Sequence, residues 1–181
     1  KKINYIANMN LKTFYILVLS FFMGYSVCAE DLKIDNNNTE INFYTGLFDF
    51  SHNDKNSTLF GVQHRNNDLI RNTFIGKLSP VSGAMITADN STYFYTGVQA
   101  QYKIGSLNFT PSFTPGYYDS GNGKDLGNTL EFKSEVQLSV DMPKSTQLGF
   151  SYNHLSNANL GDKNPGANSY MSVSYTHLRA H

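Results

Sequence analysis

The chain has 181 residues, with 14 Lys+Arg against 14 Asp+Glu and a formal net charge of +0. That length allows one domain at most, and the charge balance argues against a polyanion-binding surface and so against nucleic acid as a partner. Twelve Tyr and 13 Phe, with only 15% charged residues, suit short strands better than helices.

The first segment reads as a targeting sequence. Met9-Asn10-Leu11-Lys12-Thr13 supplies a short basic region, Phe14 to Met23 an apolar run, and Val27-Cys28-Ala29 a small-residue cleavage site before Glu30. The run is too short for a transmembrane anchor, and Val27 ahead of Cys28 argues against a lipoprotein. Residues 1–29 are therefore expected to be leader and signal peptide. Cys28 is the sole cysteine, so the chain beyond it has no thiol chemistry.

Past a polar lead, residues 30–172 are expected to form about eight strands. These are Glu40–Phe50, Ser57–Arg65, Asn72–Val81, Thr92–Ile104, Ser106–Tyr117, Thr129–Asp141, Thr146–Ser156 and one from near Asn168. The sixth alternates most clearly: Leu130, Phe132, Ser134, Val136, Leu138 and Val140 oppose Glu131, Lys133, Glu135, Gln137, Ser139 and Asp141. Pro111 and Pro115 in the fifth lack a ladder donor and are expected at a bulge or strand end. Residues 173–181 resemble a translated sequencing adapter overlapping the last strand, which sets His177 and His181 aside.

A soluble sandwich would bury the apolar faces between two sheets. An eight-stranded antiparallel outer-membrane β-barrel accounts for more. Strand lengths suit a tilted bilayer crossing, and long polar connections (Ser51–Asn56, Ser82–Ser91, Asp119–Asn128, Asn157–Ala167) alternate with tight ones. Of the short connections, Asn66–Arg71 is less tight than the pattern requires. The narrow interior would hold Glu131, Lys133, Glu135, Tyr93, Tyr95, Gln99 and Gln101, with opposite charges paired.

In the seventh strand, Thr146, Leu148, Phe150 and Tyr152 share a face, and the register carries His154 and Ser156 onto it. Two residues of strand span about 6.6 Å between α-carbons, so an imidazole can reach a serine hydroxyl. With both termini in the periplasm, this strand ends at the outer leaflet, where the pair would meet glycolipid at the depth of the headgroups. The bland alternative is an interfacial His and Ser without chemistry. His52 and His64 are isolated and lack metal-ligand spacing.

The run His154-Leu155-Ser156-Asn157-Ala158-Asn159-Leu160, followed by Asn164-Pro165-Gly166-Ala167-Asn168-Ser169, resembles the C-terminal signature of the outer-membrane lipid A 3-O-deacylases. The resemblance implies hydrolysis of the ester-linked acyl chain at position 3 of lipid A by a serine, histidine and acid triad on the barrel's outer surface. No metal or other cofactor is implied. Carried over, His154 is the base and Ser156 the nucleophile. The position of the family's glutamate holds Asn168, so either Asn168 orients the imidazole or Asp162 in the same loop does. Side-chain amides of Asn157 and Asn164, and backbone N–H groups near Asn159 and Gly161, are candidate oxyanion donors. Lys124 and Lys163 are candidate contacts for lipid A phosphates.

The partner implied is lipopolysaccharide of the outer leaflet, with a homodimer left open. Two rival readings stay open as well: a non-enzymatic barrel serving as structure or adhesin, and a lipid acyltransferase using the same face.

Overall fold

The computed structural model describes residues 38–51, 56–66, 69–73, 76–143 and 146–179. The expected signal peptide, His52 and His181 lie outside them.

Eight strands form the wall: β1 (Asn38–Phe48), β2 (Ser57–Asn66), β3 (Gly76–Thr87), β4 (Thr92–Ala100), β5 (Leu107–Asp119), β6 (Leu130–Met142), β7 (Thr146–Ser156) and β8 (Ala167–Arg179). Short pieces Arg71–Thr73 and Tyr102–Ile104 prolong β2 and β4. Each strand pairs antiparallel with its chain neighbours, and β8 pairs with β1, so the sheet closes on itself. Closure leaves no edge to template aggregation. Val173 and Tyr175, within the adapter-like segment, continue the inward alternation of β8 and are buried.

The apolar side of the alternation points outward. Phe43, Phe60, Phe94, Phe113, Leu138, Leu148 and Phe150 are all exposed, whereas Glu40, Asn42, Gln63, Gln99, Glu131, Lys133 and Gln137 are buried. A soluble sandwich would have the opposite arrangement; an apolar coat around a polar lumen suits hydrocarbon as the solvent. The lumen is packed with side chains. Lys133 lies 2.8 Å from Glu135 and 4.0 Å above the Tyr95 ring, and Arg65 reaches Glu40 at 3.4 Å. Tyr44 and Tyr95 hydroxyls bond at 2.9 Å, and Tyr95 donates to Gln63. Pairing offsets the desolvation of Lys133, Glu135, Arg65 and Glu40, but the buried Glu131 has no ion-pair partner among the described residues, so the expected pairing of interior charges holds only in part.

Three local expectations change. First, β3 continues through Ser82-Gly83-Ala84 to Thr87, so the expected loop Ser82–Ser91 shrinks to the residues between Thr87 and Thr92. These small residues look like loop in the sequence because the lumen is narrow there: a Cβ on Gly83 would lie 2.5 Å from the Tyr95 ring. Second, the chain reverses between Thr73 and Gly76 rather than across Asn66–Arg71, with Gly76 at φ 105°. Third, Pro111 and Pro115 sit inside β5, not at its end. β5 pairs continuously with β6, but rungs to β4 are missing between Tyr95–Gly116 and Val98–Phe113, opposite Pro115. They are missing again beside Pro111, where Gln101 interrupts the fourth strand. The register is kept on both sides, so an absent N–H removes a rung without inserting a bulge residue.

Candidate active site

The connections after β1, β5 and β7 meet at one end of the barrel. Asn157, fully buried, donates through Nδ2 to the carbonyls of Leu126 and Lys163, both at 2.8 Å. Lys124 is buried and pairs with Asp49 at 2.6 Å, while the exposed Lys163 pairs with Asp125 at 2.7 Å. The Lys163 ammonium and the Gly127 N–H hold the Asp125 carboxyl below its usual range. Both lysines are thus engaged with loop carboxylates, and Lys124 is buried.

β7 carries the site to this end. His154 is exposed and Ser156 half-buried on the face that also presents Leu148, Phe150 and Tyr152 outward; Leu155 and Asn153 point into the lumen. Register then supplies the third residue, because Asn168 of β8 pairs directly with His154. Directly opposed side chains on one face stand about 5 Å apart at Cβ, within reach of a hydrogen bond. His154 Nδ1 lies 2.8 Å from Asn168 Oδ1. An amide oxygen only accepts, so the imidazole donates from Nδ1 and its Nε2 is left with a lone pair. Asp162 is exposed in the loop, and the imidazole bonds to Asn168 instead. Among the described residues no hydrogen bond joins His154 to Ser156, though both lie on one face with a single residue between them; such contacts often tighten only when substrate binds.

Immediately beyond Ser156 the chain reverses in a tight turn. Leu160 N–H donates to Asn157 C=O at 3.0 Å, and Ala158 and Asn159 both have positive φ, 53° and 61°. A left-handed alanine is strained. Asn157 anchors the turn from within: its N–H donates to Asn164 Oδ1 at 3.1 Å and its side chain holds the neighbouring loop. The Asn157 side-chain amide, expected as an oxyanion donor, is therefore occupied by the Leu126 and Lys163 carbonyls, and the Asn164 side-chain oxygen accepts from the Asn157 backbone N–H.

Three further residues, Tyr152, Ser51 and Gly166, border the site without having been expected in it. Tyr152 donates its hydroxyl to Asn168 Oδ1 at 2.9 Å, and Asn168 Nδ2 donates to Ser51 Oγ at 3.2 Å. Ser51 is brought over Asn168 because Phe50 N–H bonds to Asn168 C=O at 3.0 Å and the Phe50 ring stacks on Tyr170 at 4.0 Å. Gly166, at φ 60°, backs the imidazole: a Cβ there would lie 2.8 Å from His154 Cε1. Of the three, only Gly166 could have been suspected, as the turn residue of Asn164-Pro165-Gly166. Gly166→Ala is expected to lower stability by about 1–2 kcal/mol and to displace the imidazole. Urea titration and the ring resonances of His154 in the refolded barrel measure the two effects.

Comparison with known proteins follows the same lines. The family model described as lipid A 3-O-deacylase (PagL) matches residues 60–176. The crystal structure of the outer membrane enzyme PagL is similar at TM-score 0.57 and 17% identity, over 77% of this chain and 99% of that one. A de novo designed transmembrane β-barrel is similar at TM-score 0.52 and 11% identity, over 80% of this chain and 98% of that one. No curated protein matches the chain. At these identities the structural likenesses speak for the barrel fold; the family match, over more than half of the chain, speaks for descent. Together with the apolar outer surface, they make this chain an outer-membrane β-barrel of the lipid A 3-O-deacylase (PagL) family.

Proposed function

We propose that this barrel is an esterase that removes the 3-O-linked acyl chain of lipid A in the outer leaflet, with Ser156 as nucleophile and His154 as base. The observation that carries the reading is the outward placement of both side chains beside an Asn168 oxygen that fixes the imidazole with Nε2 bare. A membrane lipid approaches such a barrel only from outside, so a hydrolytic pair for lipid belongs on this face and at this depth.

The steps follow from the groups present. His154 Nε2 takes the Ser156 proton as Oγ attacks the acyl carbonyl. The tetrahedral adduct collapses, the sugar oxygen leaves with the proton returned by His154, and the acyl chain stays on Ser156. Water activated by the same imidazole then cleaves the acyl-enzyme and frees a 3-hydroxy fatty acid. Charge on the carbonyl oxygen needs N–H donors. With the Asn157 amide engaged, the candidates are the backbone N–H groups of the turn around Asn159 and Gly161 and the Asn164 side-chain amide. Leu148, Phe150 and Tyr152 offer the leaving acyl chain an apolar track along β7.

Mass spectrometry of lipopolysaccharide incubated with the membrane-embedded barrel tests the proposal. Loss of one 3-hydroxyacyl chain, matched by free fatty acid, is the expected result. Gain of a chain would mean acyl transfer to a lipid hydroxyl, and unchanged lipid A a barrel without this chemistry.

A further inference from the structure

Replacing a carboxylate by an amide beside a catalytic histidine creates a difficulty that charge alone does not describe. A carboxylate presents an acceptor whichever way it turns, whereas an asparagine presents an oxygen one way and an NH₂ the other. With NH₂ toward the ring, Nδ1 would have to accept and the proton would sit on Nε2, the atom that must be bare to take a proton from serine. The wrong tautomer disables such a base even when every side chain is in place.

Around Asn168 the hydrogen bonds form a directed chain that begins at a group able only to accept. Asp49, at the left-handed turn after β1 and fully buried, is held by Lys124 at 2.6 Å. Its other carboxylate oxygen receives the Ser51 hydroxyl proton, Oγ to Oδ1 at 3.3 Å. Ser51 Oγ, its proton committed, accepts from Asn168 Nδ2 at 3.2 Å. That turns Asn168 Oδ1 toward His154 Nδ1, 2.8 Å away. The Tyr152 hydroxyl, 2.9 Å from Oδ1, does not set the direction, because a phenol donates to an oxygen or accepts from an amide with equal ease.

We infer that Ser51 and Asp49 are positioning residues that fix the orientation of the Asn168 amide, and through it the Nδ1–H tautomer of His154. The inference rests on the proposed role of His154 as base. It assigns the loop after β1 to the site, although 103 sequence positions separate Ser51 from His154. A glutamate at position 168 would remove the need for this loop contact.

Imidazole ¹⁵N spectra of the barrel in lipid nanodiscs, with His154 assigned by its loss in His154→Asn, test the inference without substrate. Wild type is expected to show the Nδ1–H tautomer. Ser51→Ala is expected to give a mixture of tautomers, and Ser51→Thr, which keeps the hydroxyl, to restore the wild-type spectrum. An unchanged tautomer in Ser51→Ala would overturn the inference. In the release assay, Ser51→Ala is expected to lower kcat about tenfold, with KM little changed. Built on Asn168→Glu, the same substitution is expected to lower it by less than about twofold. An equal penalty in both backgrounds would make Ser51 a structural contact and overturn the inference. A wild-type barrel that released no fatty acid would instead sink the esterase proposal, and the tautomer spectra would still decide the role of Ser51.

Discussion

Ser156→Ala is expected to lower fatty-acid release from lipid A by roughly 10⁴-fold or more, as removal of a serine nucleophile does elsewhere. The barrel should fold as before, because Ser156 is a half-buried side chain at the end of β7, on the outward-facing side of the alternation. A second hydroxyl lies near the base: Ser134 of β6 is the cross-strand partner of His154 and is exposed on the same face. It has no means of stabilising an oxyanion. It sits between two strands whose N–H groups are committed to the ladders, whereas Ser156 borders the turn at Ala158 and Asn159, where the chain leaves the sheet. Ser134→Ala should therefore stay within about twofold of wild type. Single-turnover release measured for both variants separates the two hydroxyls, and retention of activity by Ser156→Ala would remove the nucleophile from the mechanism.

The largest effect on stability is expected inside the barrel. Lys133 is buried at 2% exposure, 2.8 Å from the Glu135 carboxylate and over the Tyr95 ring. Lys133→Met deletes the ammonium and strands a carboxylate in the lumen, which costs about 3–5 kcal/mol when a buried pair loses one partner. The double variant Lys133→Met/Glu135→Gln removes both charges and is expected to recover most of that loss, since well-packed neutral replacements of a buried pair are often close to neutral. Urea unfolding of the refolded barrel in lipid vesicles gives both numbers. A single-variant penalty below about 1 kcal/mol would mean that the lumen solvates Glu135 by itself.

How far the sequence could be read depended on which physical signal each part carries. β7 matches its expected bounds, Thr146–Ser156, because strict alternation and the flanking turns agree there. β6 was equally legible, with oil on one face and charge on the other. β3 was not: Ser82-Gly83-Ala84 carries loop composition, and its reason for being small, the Tyr95 ring from the next strand, is a tertiary fact. The prolines of β5 were read correctly as lost donors, but they sit neither at a strand end nor at a bulge, since a barrel strand with a partner on each side can forgo single rungs.

For the site, the outward face of His154 and Ser156 followed from period two alone. Asn168 came from resemblance, and the register of β8 against β7 supplies its physical reason. Ser51 and Asp49 were out of reach, because a loop early in the chain meets β8 only after the barrel closes. Asn157 was taken for a donor to substrate because an Asn-rich loop beside a nucleophile suggests one. Its burial, which composition does not reveal, makes it the peg on which two loops hang.

The half-buried Ser156, on the outward face at the end of β7, is proposed to attack lipid esters with His154 as its base. A lipid-tailed fluorophosphonate applied to the membrane-embedded barrel, followed by peptide mass spectrometry, tests it at the reacting atom. One adduct per chain on Ser156, lost in His154→Asn, is the predicted result. Labelling of Ser134, or labelling of Ser156 at an undiminished rate without His154, would contradict it.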